Sequence, residues 1–166
     1  RGYYRYSDGV KKLFYGTNSK QQLVSATKSD VHYYIEQDYD SPPKIMGASV
    51  NSKTLTVYNS NNHHSKYFWG FSKLIRYTDS LSRPLSAALY LPANFDSKKR
   101  YPMIVYIYDK LSDEVHSYVN PSIHNNSGFN ISNLTRQGYM VLCPDIEYVI
   151  GNVGVSAADC VIAATE

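Results

Sequence analysis

Cysteine is scarce in this sequence. The two present, Cys143 and Cys160, are too few for a disulfide framework. Both stand in apolar surroundings, "YMVLCPDI" and "AADCVIAA", and read as small buried hydrophobes. An excess of one charge is also lacking: 17 Lys and Arg against 14 Asp and Glu leave +3 with five neutral His. The basic residues are scattered, whereas nucleic-acid or anionic-membrane binding needs them clustered. Neither partner is expected. No apolar run approaches the roughly 20 residues of a membrane-crossing helix, so no membrane span is expected either. Charged residues at 19% and hydrophobic ones at 43% exclude a disordered chain. The opening "RGYYRY" has neither Met nor a signal-peptide pattern, which suggests a processed chain or an internal fragment.

Tyrosine is abundant, with 17 residues, most of them before Asp109. Its ring packs on a half-buried pleated surface while its hydroxyl reaches water, so the first half is expected to be β-structure. Residues 1–69 read as short strands: "GYYRY", "KKLFY", "QQLVSAT", "VHYYIEQ", "KIMGAS" and "TLTVYNS". Each is bounded by Gly, Asn, Asp, Ser or Pro. Strands at this spacing predict an antiparallel meander of sandwich or propeller type, here one or two propeller blades.

The character changes near Trp69. Lys73–Thr78 and Leu85–Leu91 read as a strand pair joined by a polar turn. "YPMIVYIY" (101–108) is continuous in its apolarity, as fully buried strands are. "GFNISNLTRQG" has helical spacing, Asn or Ser caps and a closing Gly138. A fourth buried strand, "YMVLCPDI", follows, and then the Ala-rich "VSAADCVIAATE", a helix with Ser156 as its candidate cap. This alternation predicts a mixed α/β fold: an antiparallel β-meander over 1–69, then the first strands of an α/β sheet over 70–166. Such a sheet needs further strands, or "YPMIVYIY" is left as a naked edge. The chain is therefore expected to be part of a larger polypeptide.

The segments "LYLPANFDSKKRYPMIVYIYDKLSD" and "LTRQGYMVLCPDIEYVIGNVG", placed after a tyrosine-rich meander, resemble the prolyl oligopeptidase family of serine peptidases, and most of all its bacterial dipeptidyl-peptidase-like members. The resemblance implies the end of a β-propeller over 1–69 and the start of an α/β-hydrolase domain over 70–166. It further implies catalysis by a Ser nucleophile on a G-x-S-x-G elbow, with Asp and His later in the chain. No such segment occurs here: "GAS" at Gly47 lacks the second Gly, and "GVS" at Gly154 runs into "AAD". Nucleophile, acid and base are thus expected outside this chain, which would be inactive alone. The family places an oxyanion-stabilising tyrosine at the end of the third strand of the hydrolase domain, and the matching residue is Tyr108. Tyr106 shares its strand face at a period of two, so the choice of Tyr108 rests on the resemblance. Asp109 and Lys110 depart from the small residues common after that tyrosine.

Asp109, Asp113, Glu114 and His116 invite a metal or acid/base reading. They have no recognised metal spacing and read as a solvated loop, with Asp109, Asp113 and Glu114 kept as candidates for contact with a substrate amine. No metal and no cofactor are expected. His63 and His64 lie in a polar loop, and Asp145 reads as a structural hydrogen-bonding carboxylate at a strand end. The sequons at Asn125, Asn130 and Asn133 read as chance in an Asn-rich stretch. The leading expectation is a piece of a serine exopeptidase or oligopeptidase acting on short peptides. Its partners are a peptide substrate and the remainder of its own polypeptide; homo-oligomerisation stays open. The resemblance implies export to the periplasm or cell surface. An acyl esterase on the same fold, and a catalytically dead hydrolase-like binding module, are the alternatives.

Overall fold

The computed structural model describes residues 2–6, 8–49, 53–124 and 128–166, and it divides into two compact units. The first comprises 1–67 with the short segment 116–118; the second comprises 68–115 and 119–166.

In the first unit, β1 (Gly2–Tyr6) and β2 (Val10–Tyr15) form an antiparallel pair. β3 (Ser19–Ser25), β4 (Val31–Asp38), β5 (Ser41–Ser49) and β6 (Leu55–Asn59) form a four-stranded antiparallel meander in chain order. The turn signals read from the sequence separate these strands, but two expected turns are partly strand. β3 begins inside "GTNSK", and β5 takes up "SPP", where Pro43 accepts hydrogen bonds from the Ser60 N–H and hydroxyl at 3.2 and 2.6 Å. A register shift between Gln21 and Val24, with Gln22 at φ 54°, bulges β3. The core is small and aromatic: Phe14 stacks on Tyr34 at 5.2 Å beside Ala48, ringed by Tyr3, Leu13, Leu23 and Met46. Much of the remaining tyrosine, including Tyr4, Tyr6, Tyr15 and Tyr58, stays exposed.

In the second unit, β7 (Phe71–Thr78) and β8 (Pro84–Leu91) are antiparallel. β9 (Met103–Val105) follows, then α1 (Ile131–Arg136), β10 (Met140–Pro144) and α2 (Val153–Thr165). The sheet order is β7-β8-β10-β9, with β10 antiparallel to β8 and parallel to β9. Because β10 has a neighbour on each side, it is nearly wholly buried, as is much of β8. The expectation of a fully buried strand over 101–108 is corrected. β9 is three residues long, occupies the sheet edge, and only its last two side chains are even partly buried. The "NFD" loop before it is held by the Tyr101 hydroxyl, which accepts from the Asp96 N–H at 2.8 Å and donates to the Asn94 carbonyl at 3.2 Å.

The expected α1 has both of its ends. Asn130 caps it by accepting from the Asn133 N–H at 2.9 Å. At the other end Gly138, at φ 88°, lets the Tyr139 and Gly138 N–H groups reach the Leu134 and Thr135 carbonyls. α2 starts earlier than expected, after Asn152, so Ser156 is no cap. Its buried hydroxyl instead accepts from the Val149 N–H at 3.0 Å and bonds back to the Asn152 and Val153 carbonyls. No helix among the described residues is long and apolar enough to cross a membrane.

Candidate functional site

β9 and β10 run parallel, so their carboxyl ends lie on one side of the sheet, where open α/β sheets gather functional residues. Tyr106 donates its N–H to the Leu142 carbonyl at 2.9 Å, and its ring stacks on Phe129 at 4.3 Å. Because the strand ends at Val105, Tyr106 and Tyr108 do not share a strand face as expected. Tyr106 is a packing residue. Tyr108 is 71% exposed, and its hydroxyl has no hydrogen-bond partner among the described residues.

The loop that follows is fastened to the segment after β10. The Tyr148 hydroxyl donates to the Tyr108 carbonyl at 2.5 Å, and the Ile146 N–H donates to the Asp109 carbonyl at 3.1 Å. Lys110 Nζ lies 3.3 Å from Glu147 Oε2. Asp145 accepts from the Ser112 N–H at 2.8 Å and from its hydroxyl at 2.7 Å, while its own N–H donates to the Ser86 carbonyl at 2.9 Å. Its carbonyl accepts from the Tyr77 hydroxyl, whose pKa is raised by burial first and then by repulsion from Cys160, Asp145 and Asp79. Asp145 is thus the structural carboxylate read from the sequence.

Asp109 is exposed, and Asp113 and Glu114 are exposed at the start of a 3₁₀ turn, Ser112–His116. His116 belongs with the first unit, where Nδ1 lies 3.0 Å from Asp38 Oδ1. No group of three or more His, Cys, Asp or Glu that could hold a metal ion occurs among the described residues. His63 rests edge-on to Tyr67, and His64 Nε2 lies 2.9 Å from the Asp40 carbonyl. Cys143 and Cys160 are buried free thiols, and burial pushes Cys143 up to about 12. Asn130 and Asn133 spend their side-chain N–H groups on the Asn120 and Ser122 carbonyls; Asn125 lies outside the described residues.

Two groupings had no signal in the sequence. The first is Tyr148 on the Tyr108 carbonyl, 40 residues apart. The second is in the first unit, where Ser25 Oγ lies 2.8 Å from His32 Nδ1 and Asp30 Oδ1 lies 3.4 Å from His32 Nε2. This has the members of a hydrolase triad without its geometry. The Arg5 guanidinium lies 3.3 Å from the same Nε2 and 2.9 Å from Asp30, so a cation stands where an imidazolium would have to form. Ser25 also ends β3, a strand of an antiparallel meander, and not a strand-to-helix elbow.

Among the described residues, ten strands and two α-helices make this a mixed, strand-rich fold built largely from antiparallel pairs. Among solved structures, that arrangement recurs in segments of peptidases. The apo form of the isopeptidase AtxE2 matches with a TM-score of 0.65 at 14% identity, over 89% of this chain and 22% of that one. Acylaminoacyl peptidase from Pyrococcus horikoshii gives 0.65 at 11%, over 98% and 26%. Dipeptidyl peptidase 4 from Porphyromonas gingivalis gives 0.60 at 16%, over 83% and 19%. The chain therefore spans roughly a fifth to a quarter of the length of these structures, and the likeness is one of fold. No protein-family model and no curated protein sequence matches it.

Proposed function

We propose that this chain belongs to a serine peptidase that hydrolyses short peptides. In this reading residues 1–69 are the end of a β-propeller and residues 70–166 the first part of an α/β-hydrolase domain. The observation that carries the proposal is the likeness of fold to proteins named as peptidases, running through both units over 83–98% of the chain. The exposed Tyr108, just beyond the third strand of the second unit, is consistent with it.

The chemistry assigned to this chain is a single hydrogen bond. As a Ser nucleophile from outside residues 1–166 attacks a peptide carbonyl, negative charge grows on the carbonyl oxygen. A phenol donor aimed at that oxygen binds it more tightly as the charge accumulates, so it lowers the barrier rather than merely binding substrate. Proton transfer and the covalent step fall to residues this chain does not carry. Asp109, Asp113 and Glu114, in the loop that follows Tyr108, would meet a substrate's amino group. The site takes no cofactor, and the protein is exported.

The test is to assay the natural polypeptide that contains this chain on aminoacyl and dipeptidyl anilides, and on acyl esters of sugars. Turnover of the anilides, with kcat falling roughly a hundredfold in Tyr108→Phe, is expected. Turnover confined to the esters would make it an esterase, and no turnover of either would leave a binding module.

A further inference from the structure

Tyr108 presents a difficulty for an oxyanion donor. Preorganisation is the source of such a donor's effect, yet this side chain is 71% exposed and its hydroxyl has no partner among the described residues. It makes no ring stack there comparable to the 4.3 Å contact of Tyr106 with Phe129. Among the described residues, what holds Tyr108 is the backbone that carries it.

That backbone is held at several successive positions. Four consecutive residues after β10, Asp145 to Tyr148, reach back to four positions of the Tyr108 loop. Asp145 takes both Ser112 donors, the Ile146 N–H takes the Asp109 carbonyl, Glu147 pairs with Lys110, and the Tyr148 hydroxyl takes the Tyr108 carbonyl. The clamp is itself anchored: Arg83 Nη2 donates to the Glu147 carbonyl at 3.1 Å, and the Tyr77 hydroxyl donates to that of Asp145. Of these contacts, only Tyr148 bears on Tyr108 itself, and its hydroxyl can be removed while its 42% exposed ring remains.

Resting on the reading of Tyr108 above, we propose that Tyr148 is a positioning residue for catalysis, aiming the Tyr108 hydroxyl by fixing the Tyr108 carbonyl from the segment 145–148. It never touches the substrate. Because the carbonyl and side chain of Tyr108 share one Cα, freeing the carbonyl lets the phenol swing, and an ångström-scale displacement weakens the transition state more than the ground state.

The experiment is a double-mutant cycle in the natural polypeptide, with Tyr108→Phe, Tyr148→Phe and both, measuring kcat and KM on a peptide anilide and amide exchange at Ser112 and Ile146. Tyr148→Phe should lower kcat about tenfold with KM nearly unchanged, and speed exchange at both amides. The double variant should be no slower than Tyr108→Phe alone, since without the phenol there is nothing left to aim. Losses that multiply in the double variant, or a Tyr148→Phe enzyme with parental kcat beside a crippled Tyr108→Phe, overturn the positioning role and leave the Tyr108 reading intact. Full activity in Tyr108→Phe would instead remove the reading on which this proposal rests, and the proposal with it.

Discussion

Asp79 shows how much one carboxylate can organise. It stands at the β7–β8 turn, where Oδ1 accepts from the Leu81 and Arg83 N–H groups at 3.1 and 2.8 Å, and Oδ2 from Arg83 Nε at 2.6 Å. These bonds hold Ser82 at φ 61° in the left-handed region. Burial alone would raise the Asp79 carboxyl, but the hydrogen bonds and charge of Arg83, helped by Leu81, hold it below the usual carboxylate range. A carboxyl depressed in the folded state contributes stability above its unfolded pKa and loses it as pH falls through the folded value. Asp79→Asn is therefore expected to lower Tm at pH 7 and to shrink the further drop between pH 7 and pH 3. An undiminished acid drop in the variant would place that stability elsewhere. At this scale the sequence is half legible. Asp145 was readable because a polar residue closing a buried strand needs hydrogen-bond partners wherever the chain supplies them. Tyr148 was not, because its bond spans 40 residues and no pattern around "EYV" marks it.

Among the elements, the ends of α1 were legible, whereas the start of α2 and the extent of β9 were not. The α1 ends follow from chemistry within a few residues: Asn130 offers an acceptor to an unpaired N–H, and Gly138 tolerates φ 88°. That makes the Gly138 requirement testable. A Cβ built there meets nothing within 4 Å, so Gly138→Ala creates no clash and any cost is backbone strain alone. The variant should be destabilised by about 1 kcal/mol, seen as a Tm lower by roughly 2–4 °C for a chain of this size. An unchanged Tm would mean that the end of α1 rearranges freely. β9 is the counter-case. "YPMIVYIY" and "YMVLCPDI" are similarly apolar, yet one supplies three edge residues and the other an inner strand. The difference lies in sheet order, set by where the chain crosses over after α1, and composition does not encode it.

Across the whole chain, the proposed peptidase reading turns on where its serine lies. The turn signals of residues 1–69 and the strand–helix alternation after Trp69 announced a mixed fold, and the sequence carries no G-x-S-x-G segment. Folding then assembled Ser25, His32 and Asp30, far apart in chemical meaning until the β3–β4 pairing joined them. The two candidates make opposite predictions for a fluorophosphonate probe, which forms a stable bond only with an activated serine. Ser25 has a ring nitrogen at 2.8 Å, but the Arg5 guanidinium lies 3.3 Å from the far nitrogen of that ring and opposes the charge an activating imidazole must take up. Residues 1–166 alone are thus expected to remain unlabelled. The natural polypeptide should instead take one adduct at a serine outside these residues, located by peptide mass mapping, and Ser25→Ala should leave that labelling unchanged. An adduct on Ser25 would place the reactive serine in the first unit and remove the role proposed for Tyr108.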